Sequence, residues 1–474
     1  MDIQAKVDEL SSLKTEIESV NGSNPARKRL AMLFDEGTFV EVGAFVKQRP
    51  TEFYPTSVSA EGVITGYGSV QGKLVFAFAQ DSSVLKGSIS QMHAEKIVKI
   101  VKMAQKAGAP IVSMIDCNGL RLHEGVDALD GYGKILAAFS KLGDNCIHIS
   151  AVFGTSAGAL SFLPAMADYA VSMKKAEIFL SSPAVVVSRL GDSESGTADK
   201  AYKDGILSAV ADKEEDVCAY IKNYIDVICD VSSSDDDMNR LTPEIVEIMA
   251  NAQYDARDII RTIADDGILL EIRPGQAPSF VTAFISLNGQ TVGVVANNPS
   301  IEDGALNAAA AVKGSKFIRF CDRYDIPVLS IVDTDGFCAE KNENIENCGQ
   351  LLSSFVCASI PKVSLAIGRA YGAGYLSMCS SATGADVSYA YPCAQIAALP
   401  ADTGAIFLGD QKVAQSSDPG QERQKLIEDY RQILSSPYEA AKRGYIDDVI
   451  DPVTTRQLLI TAFDMLAEKS PLFD

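Results

Sequence analysis

Two glycine-rich segments carry the clearest chemical signal in this chain. GTSAGAL occupies residues 154–160 and GRAYGAG residues 368–374, and each follows an apolar run typical of a buried strand. Each segment is predicted to turn the chain into a helix, where the first backbone N–H groups have no partner within the helix. Such groups can hold a developing oxyanion, and glycine lets a ligand approach the backbone closely. The sequence therefore predicts a pair of oxyanion-binding turns.

The first segment also matches G-x-S-x-G, the nucleophile turn of α/β-hydrolases, with Ser156 as the nucleophile. In that fold the catalytic histidine follows the serine in the chain. All three histidines of this chain, His93, His123 and His148, precede Ser156. This order strongly disfavours the hydrolase interpretation.

Other reactive side chains give weaker signals. The acidic pairs Glu124/Asp127 and Asp333/Asp335 are candidate catalytic carboxylates, but such residues more often cap helices and loops. No two of the ten cysteines are three positions apart, so no CxxC metal or redox motif is present, and we expect buried free thiols in a reducing cytoplasm. Three histidines leave little for metal ligation, and we predict no metal site.

The two turns belong to a long internal repeat. Gly289 lies 217 positions after Gly72, and the same offset relates Asp333 to Asp116. The two glycine-rich turns themselves are 214 positions apart. Each half has a hairpin, a helix, a strand after a proline, a second helix, and a strand that enters the turn. This order predicts βαβ units with a mostly parallel sheet in each half.

We therefore predict an α/β protein of two tandem domains with like folds, residues 1–240 and 241–474. The break is expected in the acidic stretch 231–249. The net charge of −20 argues against sequence-independent nucleic-acid binding. An amphipathic helix near the N-terminus is expected to pack on a partner surface. The uncharged stretch 145–167 contains glycines and a proline, which favours a buried strand, turn and helix over a membrane span.

From Asn24 to Lys469 the order of motifs resembles the carboxyltransferase component of biotin-dependent acyl-CoA carboxylases and decarboxylases, of the propionyl-CoA carboxylase β and methylmalonyl-CoA decarboxylase α type. The family has a crotonase-like fold. The motifs, in chain order, are NPARKRLAMLFDEGTFVEVG (24–43), GLRLHEGVDALDGYGKI (119–135), VGVVANNP (292–299), FIRFCDRYDIPVLSIVDTDGF (317–337), AYGAGYLSM (370–378) and SPYEAAKRGYIDDVIDPVTTR (436–456).

The resemblance implies a transfer between carboxybiotin on a separate carrier protein and the α-carbon of a short acyl-CoA. The active site would form between the N-terminal half of one subunit and the C-terminal half of its partner. The amides of Gly158 and Ala159 would hold the acyl-CoA enolate, and those of Ala373 and Gly374 the biotin oxygen. No side-chain base is required, because the biotin oxygen can take the α-proton.

Further residues are candidates for substrate binding. The CoA phosphates would need local cations, for which Arg27, Lys28 and Arg29 are candidates, although a solvated helix face is an equally good interpretation of these three. The others lie around the two turns: Gly119, Arg121, Glu124, Gly125, Gly154, Tyr371 and Gly372. The sequence departs from the family in several places. Thr155-Ser156 and Ala159 replace the usual Pro-Cys and second glycine, the 336–349 loop is altered, and Gln395 stands for the usual Glu.

Several alternatives stay open at this point. The transfer could run in reverse in a sodium-pumping decarboxylase, or the chain could be a non-catalytic scaffold that still oligomerises. The chain has no Ala-Met-Lys-Met biotinylation site and no ATP-grasp loop, so carrier and carboxylase functions are expected from other polypeptides. The family implies a dimer, or a hexamer built as a trimer of dimers, in the cytoplasm.

Overall fold

The structure is a computed structural model that describes residues 3–21, 24–55, 60–143, 145–229, 234–338 and 345–467. Residues 231–233 of the expected break, residues 339–344 of the altered loop and residues 468–469 of the family-like stretch lie outside these ranges. The chain forms two compact units, Met1–Cys229 and Asp230–Asp474.

The first unit is built on one eight-stranded sheet with the order β1-β2-β3-β4-β5-β6-β8, and β7 pairs with β5. Strands β1 to β3 are antiparallel, and every later pairing is parallel. The strands are β1 Val40–Glu41, β2 Val63–Val70, β3 Lys73–Gln80, β4 Ile111–Cys117, β5 His148–Ala157, β6 Tyr169–Met173, β7 Glu177–Phe179 and β8 Ala209–Ala211. The helices are α1 Ile3–Asn21, α2 Pro25–Leu33, α3 Gln91–Ala107, α4 Val126–Ser140, α5 Phe162–Met166, α6 Pro183–Leu190, α7 Ala198–Lys203 and α8 Glu214–Cys229.

The second unit repeats this plan, with the order β16-β14-β13-β12-β11-β10-β9 and β15 paired with β13. The strands are β9 Leu270–Glu271, β10 Phe280–Leu287, β11 Gln290–Asn297, β12 Val328–Thr334, β13 Lys362–Tyr371, β14 Val387–Ala390, β15 Gln395–Ala397 and β16 Asp448–Val449. The helices are α9 Glu244–Met249, α10 Ala256–Ile263, α11 Ala308–Arg323, α12 Ile345–Cys357, α13 Gly372–Ser377, α14 Ala401–Ala414, α15 Pro419–Ile433, α16 Pro437–Lys442 and α17 Thr455–Leu466. The predicted α/β fold and its internal duplication are confirmed.

Both hairpins are fixed by the same polar contacts. At the β2–β3 turn, Gly72 has φ +80°, and the Asp35 carboxylate accepts its N–H at 3.0 Å. At the β10–β11 turn, Gly289 has φ +79°, and Asp265 accepts its N–H at 2.8 Å. The Asp265 carboxylate also accepts a hydrogen bond from the buried Arg456 guanidinium at 2.5 Å. Hydrogen bonds from Ser69 and from the turn amides lower the pKa of Asp35.

A buried lysine secures each hairpin to the helix that follows it. Lys96 of α3 donates to the Val63 carbonyl at 2.6 Å, and Lys313 of α11 donates to the Phe280 carbonyl at the same distance. Burial lowers the pKa of Lys96 to about 8 and that of Lys313 to about 7. These lysines are 217 positions apart, so the duplication extends to buried polar contacts.

Helix α1 exposes the apolar side chains of Ile3, Val7 and Leu10. The packing of this helix on a partner surface stays a prediction. None of the helices in the described ranges combines the length and the apolar composition needed to cross a bilayer. The expectation of buried thiols is wrong for five cysteines. Two of them are half-buried, Cys338 and Cys348, and three are exposed, Cys229, Cys357 and Cys393.

Candidate active site

The first glycine-rich turn begins where β5 ends at Ala157. Gly158 has φ +64°, which a glycine adopts without strain, and it opens a single 3₁₀ turn over residues 158–161. Gly158 and Ala159 are both half-buried. Ala157, the residue before the turn, provides no capping side chain. The first amides of the turn are therefore left without the partner that a helix cap normally supplies.

The second turn begins where β13 ends at Tyr371. Gly372 has φ +49° and opens helix α13, again without a capping side chain from the preceding residue. Ala373 is exposed and lines a cavity of about 480 Å³ with mostly apolar walls. Gly374 is buried, and a Cβ there would lie 2.6 Å from the Gly336 Cα, so only glycine fits. The cavity is of the size that small-molecule sites usually have.

Ala159 and Ala373 occupy equivalent positions, 214 residues apart. Ala159, which was predicted to depart from the family pattern, thus has a counterpart in the second turn. A methyl group at this position is accommodated by the turn in both halves.

The strand before each turn carries a bulge, and a carboxylate fills it. Asp116 is the single residue of β4 between Ile115 and Cys117, and three residues of β5 lie opposite it. A Cβ on Gly154, the middle one of these three, would lie 2.1 Å from the Asp116 Oδ1 atom. Asp333 and Gly368 repeat this contact in the second unit. The first glycine of each turn therefore makes room for a carboxylate.

The bulge redirects the strand. Before it, β5 pairs with β6, and after it β5 pairs with β7. Strand β13 changes partner in the same way, from β14 to β15. Bulges re-aim strands next to functional sites, and here the re-aimed segment leads directly into the turn. From the sequence, Asp116 and Asp333 were identified only as equivalent positions of the repeat, and Asp333 also as a candidate catalytic carboxylate. The constant offset between the two residues was the available sequence signal for their shared role in the bulge.

Each of these carboxylates is held by different partners. Asp116 accepts from Ser82 Oγ at 2.8 Å and from the Arg29 guanidinium at 3.1 Å. Asp333 accepts from the Tyr254 hydroxyl at 2.7 Å and from the Arg369 Nε at 2.8 Å. Burial, together with the neighbouring Asp333 carboxylate, raises the pKa of Tyr254, which therefore stays protonated as a donor.

The predicted loop over residues 119–125 forms a charged cluster in the first unit. Arg121 is only 2% exposed, and its guanidinium donates to Glu61 at 2.5 Å. Glu124 accepts the Gln91 N–H at 2.9 Å. Gly119 has φ +103° and Gly125 φ +57°.

Burial raises the pKa of Glu61, but His93 and Arg121 more than offset this, so that the pKa lies well below its usual range. Sequence reasoning missed Glu61, because nothing in its local sequence marks it as the partner of Arg121. The contacts within the cluster occupy the Arg121 guanidinium, and they give it a role in holding the loop.

The two arginines predicted for CoA phosphates differ in availability. Arg29 is buried, with its guanidinium on Asp116 and on Glu214 at 2.7 Å. Arg27 keeps a side chain that is 26% exposed, and it pairs with Glu41 at 2.7 Å. Arg27 also lines an open cavity on the first unit.

Tyr371 and Gly372 border the second turn. The Tyr371 hydroxyl donates to the Gln395 side chain, and burial raises the pKa of Tyr371 to about 12. The amide oxygen of Gln395, the residue predicted to replace a glutamate of the family pattern, accepts this hydrogen bond. A Cβ on Gly372 would lie 2.9 Å from the Ala398 carbonyl oxygen.

A side-chain nucleophile is not presented at the first turn. Ser156 lies inside β5 and is fully buried, whereas a hydrolase nucleophile is exposed on a strand-to-helix turn. His148 lies at the opposite end of the same strand, and burial lowers its pKa to about 3. Burial likewise lowers the pKa of His93. In the described ranges no three His, Cys, Asp or Glu side chains are grouped as metal ligands.

Comparison with known proteins gives a consistent result. The model of the carboxyl transferase domain family matches residues 18–473. The chain is 36% identical over 483 residues to the methylmalonyl-CoA decarboxylase subunit alpha of Veillonella parvula, covering 96% of this chain and 92% of the relative. It is 35% identical to the methylmalonyl-CoA carboxyltransferase 12S subunit of Propionibacterium freudenreichii subsp. shermanii, covering 96% and 91%.

The structure is similar to a crystal structure of transcarboxylase 12S, described as a hexamer assembly with methylmalonyl-coenzyme A and methylmalonic acid bound. The TM-score is 0.94 at 33% identity, over 99% of this chain and 96% of that one.

Proposed function

The chain belongs to the carboxyl transferase domain family, and from this premise we propose that it moves a carboxyl group between carboxybiotin on a carrier protein and the α-carbon of a short acyl-CoA. Propionyl-CoA and methylmalonyl-CoA are the proposed acyl pair, because the similar proteins are named for methylmalonyl-CoA. The observation that carries the proposal is the repeated turn, which follows a bulged strand in both units and opens without a capping side chain from the preceding residue.

The proposed chemistry uses backbone amides. The Gly158 and Ala159 N–H groups donate to the thioester oxygen as it becomes an enolate. Preorganised donors of this kind stabilise the charge where it develops. Carboxybiotin, when bound, supplies the carboxyl group and a ureido oxygen that can take the α-proton.

The Ala373 and Gly374 amides are proposed to face that ureido oxygen. The cavity beside Ala373 fits this use, because its walls are mostly apolar while Arg443 and Tyr445 add polar groups. A largely apolar site with a few polar groups is typical for a small molecule.

Substrate positioning is proposed for the remaining predicted residues. Arg27 is the more available of the two arginines for a CoA phosphate, and Arg29 contributes through Asp116. The loop of Gly119, Arg121, Glu124 and Gly125 shapes the approach to the first turn, with Arg121 holding it from inside. Gly154, Tyr371 and Gly372 act by placing the two turns.

The assembly and the direction of transfer are also proposals. A homo-oligomer, either a dimer or a hexamer as a trimer of dimers, is proposed, and the transcarboxylase 12S structure is described as a hexamer. A biotin carrier protein, with either a biotin carboxylase or a membrane decarboxylase subunit, would be the partner in the cytoplasm. The similar proteins include both a decarboxylase subunit and a carboxyltransferase subunit, so both directions are proposed for testing.

The test combines an assay with a backbone substitution. The protein is incubated with methylmalonyl-CoA and free biotin, and propionyl-CoA is followed by chromatography. Ala159→Pro removes one amide donor at a position in the first turn where proline is tolerated. We expect the rate to fall by roughly 10²–10³-fold, while Ala159→Gly, which keeps the N–H, stays near wild type.

Near-normal transfer in Ala159→Pro would refute the amide assignment. Absence of transfer in the wild type, with free biotin and with the biotinylated carrier, together with no binding of acetyl-, propionyl- or methylmalonyl-CoA by calorimetry, would instead establish the non-catalytic scaffold.

A further inference from the structure

We propose that the Tyr132 hydroxyl sets the register of the first oxyanion hole, that is, which backbone amides form it. The hydroxyl limits the hole to the Gly158 and Ala159 amides. This proposal rests on the proposed function of the two turns. Tyr132 acts as a positioning residue, because its hydroxyl contacts the turn and not the reacting atoms.

The Tyr132 hydroxyl bonds to both sides of the first turn. It donates to the Ala157 carbonyl at 2.8 Å and accepts the Leu160 N–H at 2.9 Å. The side chain comes from α4 and is only 5% exposed. A Cβ on Gly158 would lie 4.0 Å from the same hydroxyl, so the oxygen lies close against the turn.

These two bonds decide which backbone groups remain available. The Leu160 N–H is occupied, so it cannot serve as a third donor. The Ala157 carbonyl is bound, so its partial negative charge is turned toward the hydroxyl and away from a developing oxyanion. The proposed donors, the adjacent amides of Gly158 and Ala159, lie between these two bonded groups.

The second turn lacks this arrangement at the equivalent position. Among the described residues, no side chain bonds the Tyr371 carbonyl or the Gly374 N–H, which are the counterparts of the Ala157 carbonyl and the Leu160 N–H. Gly374 is the equivalent of Leu160, 214 positions later. As the third residue of α13 it has no intrahelical acceptor for its N–H.

This difference between the two turns accounts for a shift of one residue between the two proposed oxyanion holes. The first uses the amides of residues 158 and 159, whereas the second uses those of residues 373 and 374. The second pair is displaced by one position relative to the repeat. The Tyr132 hydroxyl explains the difference, because it blocks the third amide only in the first turn.

The test is Tyr132→Phe, which keeps the ring and removes both hydrogen bonds. The kcat for carboxyl transfer should fall by roughly 10- to 100-fold, as expected when donors are misplaced by about 1 Å, while KM for the CoA ester changes less than about threefold. The matched control is Tyr391→Phe, which removes another fully buried hydroxyl, bonded to Thr455 at 2.7 Å. The control should lose stability without losing kcat.

A binding measurement separates positioning from a general structural role. A CoA thioether that carries a nitronate resembles the enolate, whereas propionyl-CoA does not. Tyr132→Phe should weaken binding of the nitronate at least tenfold more than binding of propionyl-CoA. Equal weakening of both ligands, or a kcat within twofold of wild type, overturns the register proposal alone. A wild-type protein that transfers no carboxyl group overturns the proposed function and the register proposal with it.

Discussion

Gly154→Ala is the substitution that most directly tests how the first turn is positioned. The new Cβ would lie 2.1 Å from the Asp116 Oδ1 atom and 2.7 Å from its Cγ. The Oδ1 atom must therefore retreat by about 1.3 Å to reach the 3.4 Å of an ordinary contact. A retreat of that size breaks the 2.8 Å bond from Ser82 and the 3.1 Å bond from Arg29.

The expected loss follows from these contacts. Overpacking a closely packed site costs about 1–3 kcal/mol, and each hydrogen bond to a charged group contributes about 1.5–3 kcal/mol. Partial relaxation places the loss in the free energy of unfolding at about 3 kcal/mol. Gly154 lies in β5, directly before the turn that begins at Gly158. A shift of this strand should move the Gly158 and Ala159 amides, so transfer activity should fall by about 10²-fold.

Urea denaturation and initial rates measure both effects. Gly133→Ala is the control, because a Cβ on this α4 residue would meet nothing within 4 Å and should stabilise the helix by up to about 1 kcal/mol. In Gly154→Ala combined with Asp116→Ala the methyl group has room, so the double variant should be no less stable than Asp116→Ala alone. Additive losses, or a Gly154→Ala variant that behaves like Gly133→Ala, would refute the reasoning.

Two further outcomes concern the polar contacts of the hairpins. Asp265→Ala should cost about 1.5–3 kcal/mol in urea denaturation, because it removes the nearer carboxylate of the buried Arg456 guanidinium and leaves Asp236 at 3.5 Å. Asp35→Ala, which removes the equivalent turn contacts without a buried arginine, should cost clearly less, and equal losses would contradict this. Burial lowers the pKa of Lys313 to about 7, so above pH 7 the unfolded chain holds a proton that the folded chain has lost, and wild-type stability rises with pH. Between pH 7 and 9 the stability of wild type relative to Lys313→Met should therefore increase by about 2 kcal/mol, and parallel pH curves would contradict this sign.

Short-range patterns were enough to predict the two hairpins, the helices after them and the repeat. The turn residues Gln71-Gly72 and Asn288-Gly289 adopt the positive φ angles that two-residue hairpin turns require. The glycine-rich turns were likewise readable, because strand, glycine and helix follow one another directly in the chain. Two candidate carboxylates, Glu124 and Asp333, take part in hydrogen bonds that place the loop and the strand.

The sequence by itself determined the duplicated α/β plan and the location of both turns, because these depend on periodicity and on residues adjacent in the chain. Only the tertiary structure decided which side chains hold the turns in place. Tyr132 meets Leu160 across 28 positions and Arg121 meets Glu61 across 60, and no local pattern encodes such pairings. They arise when the sheet brings α4 against the end of β5, since burial then requires each polar group to find a partner within reach.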